Sequence, residues 1–357
     1  MEKMTPDLYY YTTVETMRFI LQNGNIYATN LKYMNDSEEY SNGLVEMRKI
    51  LNEQFPQTGN IINESELAKR IEGHPEIYSI SFSTQRDLLS QWSMYAGESG
   101  VSLKMNFDCN LKYLFYSDKA DKIRDYSREK IRPRRVYYVT EDAMEKKAYD
   151  LAKNEIIDEI CEQYNQVTLG DMEGENAINV WQDMTPYIKR YEFYSEGEYR
   201  LAYSTWDFPN AVRIDYRNDR HVLKPYLDVE CEGGWPVTEI IVGPGFNQQV
   251  VFTSLKHYIE HAKLKIHSVD EAEFCKRCED YLCIKENIPE HVHNIWRALK
   301  DKLLITDVNN RYRQFCEIIQ EIKKNKDIDD NYKNDLANRH LSKDGILITK
   351  SDIPYIY

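Results

Sequence analysis

The sequence predicts an α+β fold, a mixed and mainly antiparallel sheet with flanking helices. Three observations carry this reading. The chain opens as strand, helix, strand; short strands dominate residues 199–242; and residues 248–340 turn helical and rich in charge. In order, Leu8–Tyr11 is an aromatic strand. Thr12-Thr13-Val14-Glu15 has the spacing of a capping box, with Thr12 as N-cap and Glu15 three residues on. Val14, Met17, Ile20 and Leu21 then form one apolar helical face, closed by Asn23-Gly24. Asn25–Thr29 is a short strand, Asn35-Asp36-Ser37 a polar turn, and Glu38–Phe55 a helix.

Ile77–Ser83 has the apolar character of a buried strand, and Leu88–Tyr95 that of a helical turn. Val101, Leu103, Met105 and Phe107 alternate with polar residues, the pattern of a half-buried strand. Arg135–Val139 is expected as a strand, and Asp142–Gln166 and Asn176–Phe193 as amphipathic helices. The second of these carries Val180, Trp181, Met184 and Ile188 on its apolar face. Strands follow at Tyr199–Ser204, Val212–Tyr216, Val222–Val229 and Thr238–Val242, the last running into Gly243-Pro244-Gly245. Helices are expected near 248–265, 270–284, 289–305, 308–325 and 330–340, with a closing strand at Gly345–Thr349.

The 357 residues correspond to about two domains, or one domain with a large insertion. A hydrophobic share of 42% is enough to build a core. A formal charge of -13 argues against sequence-independent nucleic-acid binding, which relies on basic surface to release counterions. Arg132-Pro133-Arg134-Arg135 is a local exception, so nucleic acid enters only as an acceptor. Seven cysteines without framework spacing indicate reduced thiols. Met1–Asp7 lacks the apolar core of a signal peptide, and no apolar run approaches the ~20 residues of a bilayer span. The expectation is a cytoplasmic protein without membrane contact.

The chemistry-bearing pattern is Glu196-Gly197-Glu198-Tyr199-Arg200. Residues i and i+2 of a strand share a face, so Glu196 and Glu198 should point together, with Arg200 beside them. Two such acids suit glycosyl transfer, where positive charge develops on a sugar carbon. The blander reading is a solvated acidic strand end with Arg200 as its partner. Cys275-x-x-Cys278 with Cys283, His291 and His293 invites a zinc reading. However, Phe274, Cys278, Tyr281 and Leu282 share one helical face, which favours a core cysteine. Gly243-Pro244-Gly245 lacks a third glycine and any Lys-Ser/Thr, and reads as a turn.

Leu8-Tyr9-Tyr10-Tyr11-Thr12-Thr13, Leu31-Lys32-Tyr33-Met34-Asn35-Asp36, Ser81-Phe82-Ser83, Gln91-Trp92-Ser93-Met94-Tyr95-Ala96, the Glu196–Arg200 segment and Ile240-Ile241-Val242-Gly243-Pro244 occur in that order. Together with Ser351-Asp352-Ile353-Pro354-Tyr355, they resemble the bacterial domain-of-unknown-function family 2971. That family in turn is distantly similar to the ADP-ribosyltransferase superfamily. The resemblance implies a split sheet in residues 1–267, a helical insertion at 268–335 and a strand returning within 336–357. It places Tyr10 where a first-strand histidine is usual, Ser81 or Ser83 in the middle segment, and Glu198 at the catalytic glutamate. Tyr10 departs from the pattern, because a phenol lacks the two ring nitrogens of imidazole.

What the resemblance implies is an enzyme that uses NAD to modify a macromolecule or hydrolyses it, such as a bacterial toxin or anti-phage defence effector. Glu198 would face the oxocarbenium-like centre, and Glu196 would orient or deprotonate the acceptor. Tyr11, Trp92 or Tyr95 would stack on nicotinamide, with Thr12 and Ser83 bonding its carboxamide or a phosphate. Each of these aromatics also has a core-packing reading. Arg200 would anchor Glu198 or a phosphate; its other reading is a salt bridge to Asp36. The alternative function is a non-catalytic ligand- or partner-binding module of a defence or stress system, docking through helices 268–335.

Overall fold

The computed structural model describes residues 5–34, 39–56, 60, 62–63, 77–97, 100–108, 113–116, 123–125, 132–139, 146–163, 174–204, 214–219, 221–231, 233–283, 288–303 and 308–353. In chain order these contain β1 (Leu8–Thr13), α1 (Val14–Asn23), β2 (Asn25–Asn30), α2 (Glu39–Gln54), β3 (Ile77–Ser83) and β4 (Gly100–Met105). Next come β5 (Tyr113–Tyr116), β6 (Ile123–Asp125), β7 (Arg134–Arg135), β8 (Tyr137–Val139), α3 (Lys146–Gln163), α4 (Gly174–Met184), β9 (Ile188–Arg190) and β10 (Glu198–Ser204). The remainder are β11 (Ile214–Asp219), β12 (Val222–Cys231), β13 (Val237–Val242), α5 (Gln248–His261), α6 (Glu271–Leu282), α7 (Glu290–Leu303), α8 (Val308–Lys324), α9 (Asp330–Ala337), β14 (His340–Leu341) and β15 (Leu347–Lys350). The fold is α+β with mixed, mostly antiparallel strand pairing, as the sequence predicts. Contacts divide the chain into two compact units, one of residues 1–25, 85–109 and 231–357, the other of 26–84 and 110–230.

In the first unit the strand order is β14-β15-β13-β4-β1. β1 runs antiparallel to β4, with Tyr10 opposite Leu103 and Thr12 opposite Val101. β13 is antiparallel to β4 and parallel to β15. The strand through Val101 is buried on both faces rather than one, since Ser102 is as inaccessible as Val101 and Leu103. Both α1 and the turn Trp92–Ala96 pack on β4, which accounts for the difference.

The helix cap also shifts. Thr13, not Thr12, is the N-cap of α1, its Oγ1 accepting from Thr16 N at 3.1 Å. Thr12 is held in the β1–β4 ladder, so the helix starts one residue later than the capping-box spacing implies. Gly24 ends α1 in the left-handed region at φ 78°, where its N–H donates to Ile20 O at 2.8 Å. The expected face of α6 is borne out: Phe274, Cys278, Tyr281 and Leu282 are buried with Val292 and Trp296 of α7 and Phe315, Ile318 and Ile322 of α8. Leu341 of β14 and Leu347 of β15 complete that core.

In the second unit β3 pairs antiparallel with β10 along its whole length, and β7 pairs with β10. β2 joins β3 and β12, β11 pairs with β12, and β5 lies between β12 and β6. The core is closed by Leu44, Met47, Ile50 and Leu51 of α2, Ile156 and Ile160 of α3, and Val180, Trp181 and Met184 of α4.

Two sequence expectations fail here. Arg135–Val139 is not one strand: Arg134–Arg135 pairs with β10, whereas Tyr137–Val139 pairs in parallel with β9. The helix expected over Asn176–Phe193 ends at Met184, and a 3₁₀ turn at Thr185–Tyr187 then leads into β9. Pro186 explains the break, because proline cannot donate to the preceding turn and clashes with it. Asn35-Asp36-Ser37 lies outside the described residues. Among the described residues no helix is long and apolar enough to cross a membrane.

Candidate functional site

The site is built where β10 begins. Tyr191–Glu196 is a 3₁₀ segment, and Gly197 at φ 51° adopts the left-handed conformation that turns the chain into β10. The junction is fixed by two bonds to neighbouring backbone: Gly197 N to Tyr194 O at 3.2 Å and Thr84 N to Gly197 O at 2.9 Å. Glu196 therefore sits on a turn and not on the strand, a correction to the shared-face argument. Its carboxylate nevertheless reaches the same place as that of Glu198, because both meet Lys189 of β9.

Lys189 Nζ lies 2.7 Å from Glu196 Oε2, 2.9 Å from Glu198 Oε2 and 3.6 Å from Glu39 Oε2. Arg200, on the same face of β10 as Glu198, donates from Nε to Glu198 Oε1 at 2.7 Å and from Nη2 to Glu198 Oε2 at 2.9 Å. Its Nη1 donates to Pro186 O at 2.6 Å, and its Nη2 also pairs with Glu39. The Glu198 N–H donates to Tyr138 Oη at 2.7 Å, and Ser83 Oγ donates to Glu196 O at 2.5 Å. All five charged residues are buried, Arg200 at 1% exposure.

Three carboxylates thus surround two permanent cations. Burial alone favours the neutral form of a carboxyl. At Glu198 burial is outweighed by the Arg200 guanidinium and the Lys189 ammonium, which hold the group well below the usual carboxylate range. At Glu196 burial prevails over the attraction of Lys189, and its pKa is raised. Burial opposes the charge on Lys189 too, but Glu198 and Glu39 more than restore it and raise its pKa.

The register puts Ser83 directly opposite Glu198 and Ser81 opposite Arg200. Those five sequence-derived residues, Ser81, Ser83, Glu196, Glu198 and Arg200, all belong to the second unit. Tyr10, Tyr11, Thr12, Trp92 and Tyr95 belong to the first. There Tyr11 Oη donates to Gln85 O at 2.6 Å and accepts from Leu88 N at 3.0 Å. Tyr11 meets Trp92 edge-on at 4.7 Å, and both are buried with Tyr9, Ala96 and Ile241. Trp92 Nε1 donates to Asp87 Oδ1 at 2.6 Å. Tyr10 is half-buried, Thr12 buried, and Tyr95 38% exposed on the turn that carries Trp92.

Sequence reasoning missed Lys189, Glu39 and Tyr138. The signal for Lys189 was Pro186: a proline inside an apparent helix marks its end and frees Ile188-Lys189-Arg190 to be a strand. Glu39 and Tyr138 had no local signal, since only tertiary pairing brings them to β10. Among the described residues no three His, Cys, Asp or Glu side chains are grouped to hold a metal ion. Comparison with protein-family models, with curated proteins and with solved structures finds no match.

Proposed function

We propose that the chain is an enzyme of ADP-ribosyltransferase type that uses NAD, either transferring its ADP-ribose to a macromolecule or hydrolysing it. The observation that supports this reading is the carboxylate pair on Lys189, Glu198 at 2.9 Å and Glu196 at 2.7 Å. Their surroundings drive their proton affinities apart, Glu198 down and Glu196 up. A pair of acids separated in this way is the usual mark of divided labour in a site. Glu198, its pKa lowered by Arg200 and Lys189, serves to stabilise positive charge on the ribose carbon as the nicotinamide bond breaks. Glu196, the stronger base, serves to take the proton of the acceptor hydroxyl or water.

The test is NAD consumption by the purified chain, with and without cell extract, beside Glu198→Gln and Glu196→Gln of verified fold. Loss of the Glu198 carboxylate should lower the rate by on the order of 10²-fold or more. A wild-type chain that consumes no NAD in either setting, or a Glu198→Gln variant as fast as wild type, overturns the reading.

A specific observation favours a second reading, a non-catalytic ligand- or partner-binding module. Both oxygens of Glu198 are already engaged, by Arg200 and by Lys189. In that case the cluster is a clamp tying β9, β10 and α2 together. NAD would then persist, and Glu198→Gln would register in stability alone.

A further inference from the structure

We infer that Lys189 is a positioning residue for the proposed reaction, fixing the Glu196 carboxylate that takes the acceptor proton. The inference rests on the NAD-using reading above. Glu196 ends the 3₁₀ turn Tyr191–Glu196, ahead of the β10 ladder that orients Glu198 and Arg200. Its carboxylate accepts from Lys189 Nζ at 2.7 Å and, among the described residues, from no other side chain. Arg200 does not share the task, because its bonds go to Glu198, Pro186 O and Glu39.

Lys189 is itself held from several sides. Its Nζ also donates to Glu198 Oε2 at 2.9 Å, lies 3.6 Å from Glu39 Oε2 and stands 4.7 Å over the Phe193 ring. Phe193 and Glu196 are three residues apart in the 3₁₀ turn, so they share one side of it, and Lys189 meets both. The backbone behind it is fixed too. Ile188 is buried in the core, and Lys189 stands opposite Tyr138 in the parallel pairing of β8 and β9.

The charges argue the same way. Facing Lys189 and Glu196 are Glu39 from α2, Glu198 and Arg200 from β10 and Tyr138 from β8, with Arg190 next along β9. Burial raises the Glu196 pKa, Lys189 is the foremost influence lowering it, and Glu198 and Glu39 raise it further. Without Lys189 the carboxyl keeps its proton to higher pH and loses its anchor, failing as a base on both counts. The competing explanation is an ion-pair clamp between β9 and β10 with no part in the reaction.

The experiment compares wild type with Lys189→Met, and Glu39→Gln with the double variant Lys189→Met/Glu39→Gln. The double variant removes one charge of each sign, so it keeps the test available where Lys189→Met alone fails to fold. Carbon-13 NMR follows the labelled glutamate carboxyls through a pH titration, with the Glu196 signal identified by its loss in Glu196→Gln. In parallel, NAD consumption is measured against pH. Each Lys189→Met chain should titrate Glu196 at higher pH than its parent, and the acid limb of kcat/KM should move up with it. A fall in kcat of about tenfold or more is expected, with KM near that of the parent. A Glu196 titration that stays put, or one that moves while the NAD profile does not, overturns the role of Lys189 and leaves the enzyme reading standing. A wild-type chain that consumes no NAD overturns both.

Discussion

Arg200 grips Glu198 from two positions further along the same strand, with Nε to Oε1 at 2.7 Å and Nη2 to Oε2 at 2.9 Å. The alternation of an extended strand brings the two side chains to one face, and the planar fork matches the carboxylate. Two further donors of the guanidinium are used on Pro186 O and Glu39. One side chain therefore ties β10 to α2 and to the turn that breaks the helix before β9.

Replacing Arg200 with Lys keeps the charge and loses this geometry. Lysine cannot serve Glu198 in two places and reach Pro186 and Glu39 as well. Because the group is 1% exposed, the unmet partners stay buried, and a loss of about 3 kcal/mol is expected. Urea unfolding of the variant measures it. A midpoint equal to that of wild type would show that the clamp contributes nothing.

Acid stability should report on Glu198. Its folded pKa is depressed, so the unfolded chain takes up the proton first as pH falls. The stabilisation is complete above about 4.5 and is lost as pH descends towards about 2. Glu198→Gln lacks this titration. The stability gap between wild type and variant is expected to be widest near neutral pH and to narrow below 4.5. A gap independent of pH would contradict the assignment.

His340 should act in a higher window. It is buried, and burial together with Lys256 lowers its pKa from 6.5 to about 4, although Glu260 pulls the other way. Between those values the unfolded chain binds a proton that the folded chain refuses, so stability declines as pH drops. His340→Gln should be flatter over the same interval in denaturant titrations. Parallel curves for the two proteins would exclude this role.

Gly243 should not tolerate a methyl group. A Cβ there would stand 2.8 Å from the Trp92 ring and 3.0 Å from Gly100 O. Trp92 is anchored to Asp87 and cannot swing freely aside. Gly243→Ala is expected to cost about 1–3 kcal/mol through overpacking and to alter the indole emission. Unchanged melting and fluorescence would show that the contact relaxes.

What the sequence made legible was local. The Glu198–Arg200 relation follows from strand alternation, and the buried face of α6 from helical spacing. The left-handed stop at Gly24 follows from the Asn-Gly pair. What it hid was decided by pairing between distant segments. Thr12 lost the capping role because β1 stays in its ladder one residue longer than local spacing implies. Arg135–Val139 looks like one strand, yet Arg135 pairs with β10 and Tyr137–Val139 with β9. Lys189 was concealed by an apolar periodicity that ran on through Pro186 and made a strand resemble the end of a helix.

The segmentation of the first unit bears on the order in which the chain can fold during synthesis. By residue 230 the ribosome has made every residue of the second unit, whereas the first still lacks its final stretch. Until Leu347–Lys350 emerges, one edge of β13 has no β15 to pair with. An unpaired strand rich in Ile and Val invites pairing with other chains. A nascent chain stalled between these points would carry a completed second unit beside an adhesive, unfinished first one. Aggregation of such intermediates should therefore depend on how quickly translation passes from residue 242 to residue 350.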